Sequence, residues 1–344
     1  MNAVNRTSVA RECLFLAAAF VLAAGAAEAY LRAFAPQQLM SPAYDDRFGM
    51  RGFKPNARIK HQTQDYSVVY TTNDLGFRGK TYPAAKAPGT YRIEVFGPSA
   101  VFGSGVEDDE VFSAVLERRL RAAFPKRGID VINLGLMGVS LSLDEYLYRT
   151  VGRRYAPDLV VLNLLYGNKE SLNYQEAKHW EEVPVSRTSG LKALLRRFIR
   201  AFPGYAWLCE NSNLYGLRRL ALVDAVDVKA VDARDARPDP DAARKFEDLQ
   251  RTFLSTFREF ERGACGDGAR FLLLANRVSL ELFPLIDAEI SKEARTSSCL
   301  TYRELDLGPE DTFPNDRHWT ARGHARVADV LFDDVRGRLK AGAR

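Results

Sequence analysis

Four separated stretches of this chain carry residue types suited to one reaction, the transfer of an acyl group through a serine. The first is Tyr91–Gly105, YRIEVFGPSAVFGSG, in which an apolar run stops at Gly97-Pro98-Ser99 and gives way to a helical pattern. A stop of that kind places the Ser99 hydroxyl at the carboxyl edge of a sheet, where a nucleophile can meet a substrate. Gly97 lets the backbone bend without a Cβ in the way, and Pro98 fixes its own φ near about −65°. The other stretches are Gly138, after the run Ile129–Leu134; Tyr166-Gly167-Asn168, after Leu159–Leu165; and Asp316-Arg317-His318-Trp319, ahead of the last helical pattern. Together they supply a serine nucleophile, a histidine base, an aspartate to hold its tautomer, and backbone and side-chain amides for an oxyanion. Each stretch alone is ordinary. Gly-Pro-Ser makes common turns, Asn168 could cap a helix, and an indole such as Trp319 packs in a core as readily as it walls a site. His61, His179 and His324 read as structural or exposed.

The elements that must position these residues alternate. Arg92–Phe96 is expected as a strand and Glu107–Phe124 as a helix, with Phe112, Val115, Leu116, Leu120 and Phe124 on one face and a stop at Pro125 and Gly128. Ile129–Leu134 is a second strand, and Ser142-Leu143-Asp144-Glu145 has the spacing of a capping box for the next helix. Leu159–Leu165 is apolar except for Asn163, as expected of a strand covered on both faces. Ala242–Glu261 repeats Phe246, Leu249, Phe253, Phe257 and Phe260 at helical spacing, Arg270–Ala275 is a fourth strand, Leu300–Tyr302 a weaker one, and Ala321–Leu339 the final helix. Strands alternating with amphipathic helices predict a parallel sheet in a three-layer α/β domain. Its strand ends gather on one edge, so the four stretches converge there.

Composition bounds the rest. The 344 residues are 46% hydrophobic and 27% charged, enough to bury a substantial core. The net charge of +5 is spread over 49 basic and 44 acidic residues. No aromatic-interleaved basic stripe argues for nucleic acid, and no Cys or His spacing argues for a structural metal. Arg6 and Arg11 precede the apolar run Leu14–Ala27, which is punctuated by Glu28, Tyr30 and Arg32. This reads as a single membrane anchor with its basic flank in the cytoplasm and all that follows exported. A cleaved signal peptide is the competing reading, since Ala24-Gly25-Ala26 and Ala27-Glu28-Ala29 offer small residues. The expected organisation is an anchor over 1–34, a lead-in over 35–89 with a turn at Asn73–Arg78, and an α/β domain over 90–344 with an insert at about 171–239. Within the insert, Leu191–Phe202 has the pattern of a basic amphipathic helix, which suits an anionic membrane surface or a solvated face of the core. Cys265 and Cys299 flank a strand and could pair in an oxidising compartment; unpaired buried thiols remain open.

With these residues in view, the chain resembles the SGNH (GDSL-like) hydrolases. Gly97-Pro98-Ser99 with Phe102-Gly103-Ser104-Gly105-Val106 resembles the first block of that family, and Asn133-Leu134-Gly135-Leu136-Met137-Gly138 the second. Gly167-Asn168 resembles the third, and Asp316-Arg317-His318-Trp319 with Gly323-His324 the last. The resemblance runs from about Asn73 to Leu339. It implies a doubly wound, flavodoxin-like sheet of about five parallel strands, with no cofactor. It also implies Ser99 as nucleophile, His318 as base, Asp316 as its partner, and an oxyanion hole from the amides of Ser99 and Gly138 and the side chain of Asn168. Two positions depart from the pattern: Pro98 stands where the family has aspartate, and Lys169 follows Asn168, where with Trp319 it could contact substrate. The expected activity is that of an exported, membrane-anchored serine esterase acting on an acylated carbohydrate or other ester. Asp-x-His-Trp also resembles periplasmic O-acetyltransferases of polysaccharides, and an inactive scaffold subunit of a polysaccharide assembly is the third reading.

Overall fold

The computed structural model describes residues 3–47, 50–164, 198, 202–217, 241–277 and 283–341. The chain divides into two compact units. One comprises Met1–Pro42, Lys60–Ser67 and Ser189–Arg237, the other Ala43–Ile59, Val68–Thr188 and Pro238–Arg344.

In the first unit, helix α1 (Ala3–Phe34) contains a stretch, Val9–Phe34, long and apolar enough to cross a membrane, and none of it is buried. Strand β1 (Leu39–Met40) pairs antiparallel with β4 (Arg58–Gln62) in the register Leu39–Gln62 and Met40–His61. The short hairpin β2 (Tyr44–Arg47) and β3 (Met50–Phe53) belongs to the second unit. Strand β5 (Ser67–Thr71) follows. Asn73 then closes the expected turn: its side chain accepts the amides of Leu75 and Phe77, and Gly76 returns its amide to the Asn73 carbonyl.

The second unit is built on a five-stranded parallel sheet of β6 (Tyr91–Phe96), β7 (Ile129–Asn133), β8 (Leu159–Leu164), β9 (Arg270–Asn276) and β10 (Leu300–Leu305). The spatial order is β7-β6-β8-β9-β10. The chain therefore steps outward from β6 to β7, then crosses back to β8 on the other side. The crevice at that reversal is where doubly wound sheets bind ligands, and Ser99 follows β6 there. The helices are α2 (Ser99–Phe102), α3 (Phe112–Ala123), α4 (Leu141–Thr150), α5 (Tyr205–Asn211, in the first unit), α6 (Ala242–Gly266), α7 (Pro284–Thr296) and α8 (Ala321–Ala341).

Each face of the sheet has its own core. Ile93, Val95, Val131, Val161, Leu272 and Leu274 pack with residues of α2, α3 and α8 on one side. Phe96, Ile132, Val160, Leu162, Phe271 and Leu273 pack with α4, α6 and α7 on the other. Alternate side chains of one strand thus serve opposite layers, which makes β8 apolar except for Asn163, whose buried side chain donates to the Leu274 carbonyl at 3.0 Å. Cys265, at the end of α6, and Cys299 form a disulfide with Cα atoms 6.1 Å apart.

Three expected elements shift. The helix read from Glu107 begins at Phe112, because Asp108 is drawn into hydrogen bonds with Thr71 and Arg78 and 107–111 becomes turn. The capping box read at Ser142 is absent: the helix starts at Leu141 after Ser140, whose hydroxyl pairs with that of Ser142 at 3.0 Å. Helix α7 was not expected at all. The insert expected at about 171–239, the Leu191–Phe202 pattern included, lies mostly outside the described residues, and so does His179.

One buried group sets a pH response. Glu94 in β6 shares a face with Phe96, is fully buried, and among the described residues neither carboxylate oxygen has a hydrogen-bond partner. Burial pushes its pKa up from 4.5 to about 8, with nearby Arg92 pulling the other way. The folded protein therefore holds a proton that the unfolded chain has released, so Glu94 lowers stability as pH rises from about 4.5 to about 8, with a slope of about 1.4 kcal/mol per pH unit. Glu94→Gln is expected to flatten that decline in Tm between about pH 4.5 and about pH 8; an unchanged slope would show that Glu94 does not cause it.

Candidate active site

Backbone geometry fixes the position of Ser99. Gly97 has φ +144, and a Cβ there would lie 2.7 Å from the Val101 side chain and 3.0 Å from the Asn163 carbonyl. No larger residue fits that bend. Pro98 then precedes α2, and its carbonyl accepts the amides of Val101 (2.8 Å) and Phe102 (3.1 Å). Ala100, Val101 and Phe102 are fully buried, so the turn is anchored by its own side chains while Ser99 stays partly exposed. Gly97→Ala adds both the overlap and the cost of positive φ, and is expected to lower stability by about 3 kcal/mol. Urea unfolding would read this, and a wild-type midpoint would show that the bend tolerates a side chain.

The segment after β7 braces the same turn. Asn133 donates to the Val101 carbonyl (2.7 Å) and to Ser113 (3.1 Å), and accepts the Gly135 amide (2.9 Å). A Cβ on Gly135 would meet the Phe102 amide nitrogen at 2.6 Å. Leu136 donates its amide to the Gly97 carbonyl at 3.2 Å. Two residues on, Gly138 turns with φ +71 into open space. Among the described residues, the amides of Ser99 and Gly138 are bonded to no acceptor.

His318 reaches Ser99 from a tight loop. The Thr312–Trp319 bridge closes it, the Phe313 amide donates to the His318 carbonyl at 2.8 Å, and Arg317 bonds back to Phe313 at 3.1 Å. Arg317 takes the left-handed conformation (φ 66), which turns Asp316 and His318 to one side. Strain of this kind costs about 1 kcal/mol or more and persists where the surroundings enforce it. Beneath the loop, Asp311 is fully buried; it accepts the Gly308 amide (2.9 Å) and pairs with Arg322 (3.2 Å) and Arg326 of α8.

The side chains form one chain of contacts. His318 Nε2 lies 2.7 Å from Ser99 Oγ, and His318 Nδ1 is hydrogen-bonded to Asp316 Oδ1. A carboxylate on Nδ1 holds the proton there and leaves Nε2 as the lone-pair nitrogen facing the hydroxyl. The imidazole is 26% exposed and the carboxylate 14%, so the ring is open to solvent while its partner is more shielded.

Trp319 does not line this site. It is 1% exposed and packs edge-on against Phe112 and His324, so it is a core ring and not a substrate contact. His324 is fully buried, stacks on Phe112, and accepts the Phe112 amide through Nδ1 (3.3 Å). Burial, then the charges of Arg78 and His318, lower its pKa to about 3, so it stays neutral and structural. His61 is also buried, beside Gln38 and Tyr66. Asn168 and Lys169 lie outside the described residues.

One neighbour of the turn escaped the sequence reading. Asp144, in the first turn of α4, is buried, and its carboxyl faces the backbone N–H of Gly97. Burial raises its pKa well above the ordinary range, and the Gly97 amide opposes that rise. The signal available was an acid in the first helical turn after a glycine loop, which reads more simply as helix capping.

No protein-family model matches the chain, and no curated protein does. Solved structures similar to it include a two-domain esterase active on acetylated mannans, at 13% identity over 71% of this chain and 49% of that one, with TM-score 0.39. This chain spans about half that protein's length. TesA is similar at 13% identity, with 73% and 98% covered and TM-score 0.39. A catalytic mutant of Axe2, an acetylxylan esterase from Geobacillus stearothermophilus, is similar at 12% identity, with 71% and 94% covered and TM-score 0.39.

Proposed function

We propose that this chain is a membrane-anchored serine esterase of the SGNH type that removes an acyl group through an acyl-serine. The observation that carries the reading is the contact chain from Asp316 through His318 to Ser99, with a 2.7 Å link between base and nucleophile. His318 Nε2 takes the hydroxyl proton as Ser99 Oγ attacks the ester carbonyl. The carbonyl oxygen becomes an oxyanion held by the amides of Ser99 and Gly138, with Asn168 as the third donor implied by the family pattern. On collapse the alcohol leaves with the proton from His318. Water then repeats the sequence on the acyl-serine and releases the acid. An intact base–nucleophile contact favours an enzyme over a scaffold that has lost turnover.

The substrate class rests on the family resemblance: an acylated carbohydrate or similar ester on the far side of the membrane from the basic N-terminal flank. A sugar hydroxyl replacing water in the second half would make the same site a transferase.

The test is fluorophosphonate labelling of the full chain, with the modified peptide mapped. Modification at Ser99, lost in Ser99→Ala and His318→Ala, is the expected result. A folded wild-type chain that takes no label would refute the reading. Incubating the labelling-competent chain with acetyl esters and sugar oligomers then separates release of free acid from transfer.

A further inference from the structure

The anchor and the segment around α5 share a bonded contact near the far end of the span. A bilayer core of about 30 Å needs about 20 helical residues, fewer than the apolar stretch Val9–Phe34 supplies, so Glu28, about 9 Å before the end of that stretch, falls near the far boundary of the core. A bare carboxylate at that depth is costly.

It is not bare. Its oxygens accept the Ser212 hydroxyl (3.0 Å), the Asn213 amide (2.9 Å) and side chain (3.1 Å), and the Leu214 amide (2.9 Å). Arg32, one turn on, pairs with Glu28 at 3.1 Å and donates to the Asn211 carbonyl at 2.7 Å. Residues 211–214 are therefore held at the level of Glu28 and not beyond the end of the helix.

The side chains around this contact are sorted by polarity. Those facing inward are bonded: Glu210 accepts the Ser41 hydroxyl at 2.7 Å, and Asn213 accepts the Gln37 amide at 2.8 Å. Those facing outward are large and apolar apart from Arg32, whose side chain is 61% exposed. Phe202 and Trp207 are 61% and 62% exposed, Leu214 and Leu217 38% and 42%, and on α1 itself Tyr30 and Phe34 are 61% and 76%. Water is a poor environment for such a patch, whereas Trp and Tyr beside apolar side chains suit a membrane–water interface.

We propose that residues 202–217, with the last turns of α1, form a platform that sits in the interfacial layer of the bilayer α1 crosses, on the non-cytoplasmic side. This rests on the reading of α1 as a retained anchor. The same bonds give a reason for retention: cleavage near Ala27 would strip Glu28 of its helix and free the amides of 213 and 214.

The test is reconstitution of the full chain in phosphatidylcholine vesicles, with acyl chains unbrominated, brominated near the headgroup, or brominated near the terminal methyl. The Trp207 signal is the difference between wild type and Trp207→Phe, a surface change outside the active site. The expected result is retention through an alkaline carbonate wash, with loss of most Trp207 emission to the shallow bromines and less to the deep ones. A retained chain whose Trp207 emission ignores bromine and yields to aqueous acrylamide would overturn the platform alone. A chain released by carbonate would overturn the anchor and the platform with it.

Discussion

Replacing His318 by alanine is expected to lower kcat for ester hydrolysis by roughly 10⁵-fold to 10⁶-fold while leaving the fold intact. Ser99→Ala should do the same, and the double variant should be no slower than either alone, because nucleophile and base act as one unit. The structural reason is the single 2.7 Å contact between His318 Nε2 and Ser99 Oγ: without the imidazole the hydroxyl keeps its proton, and without the hydroxyl the base has nothing to activate. Asp316→Asn is expected to cost about 10⁴-fold, since an amide on Nδ1 favours the wrong tautomer. Residual activity from the amides of Ser99 and Gly138 should survive in all these variants. His318 is partly exposed, so its thermal midpoint should hardly move. Initial rates on an acetyl ester, with circular dichroism as the folding control, read both quantities. A double variant whose loss is the product of the single losses would mean that Ser99 and His318 do not work in one step.

The legible parts of the fold are those in which both faces of an element are used. Strands β6, β8 and β9 announce themselves because core lies above and below them; the run Leu159–Leu164 is wholly buried. Strand β10 gives a weak signal for the opposite reason. It lies at the sheet edge next to β9 alone, and only Leu300 and Leu305 are buried. Helix α7 is invisible in the pattern because just two of its residues, Ile286 and Ile290, are buried, too few to mark a stripe. Long-range partners account for the rest. Nothing local says that Asp108 will be recruited by Arg78 and Thr71, so α3 reads as starting five residues too early, and nothing local distinguishes a capping Asp144 from one that faces Gly97. The order of the four blocks is readable, but the left-handed Arg317 that turns Asp316 and His318 together is not.

The departure at Pro98 bears on how the turn stays in place. An aspartate there would offer a side-chain acceptor, which proline lacks, and proline also removes an amide. In this chain the neighbouring elements supply the bracing. Asn133 holds the Val101 carbonyl from β7, Tyr70 of β5 accepts the Gly105 amide at 2.9 Å, and Arg78 donates to the Gly103 and Val106 carbonyls. Ser99 is thus positioned from outside its own tripeptide, and the sheet's switch point brings these partners within reach.

Arg78 is the strongest of these braces, and its removal is expected to give the largest stability loss of any single side chain outside the hydrophobic core. Its side chain is 1% exposed. It lies over the rings of Tyr70 and Phe102 and donates to Asp108 at 2.8 Å, to the Gly103 carbonyl at 2.5 Å and to the Val106 carbonyl at 2.7 Å. Those carbonyls belong to the loop that immediately follows α2, the helix that Ser99 begins. Arg78→Met keeps most of the volume but orphans the carboxylate and the carbonyls, at an expected cost of about 3–5 kcal/mol. Arg78→Lys should recover only part of this, because an ammonium cannot present a planar fork to three acceptors at once. Asp108 is 31% exposed on its side chain, so water can solvate it once the pair is broken; Asp108→Asn should therefore cost less than Arg78→Met, and most of its loss should come from the unpaired guanidinium. Because Gly103 and Val106 are tied to Ser99 through α2, kcat should fall with stability in the Arg78 variants while KM stays nearly constant. Urea unfolding midpoints with steady-state kinetics on the same preparations test the link. Stability lost with kcat unchanged would confine Arg78 to the fold and detach it from the nucleophile's positioning.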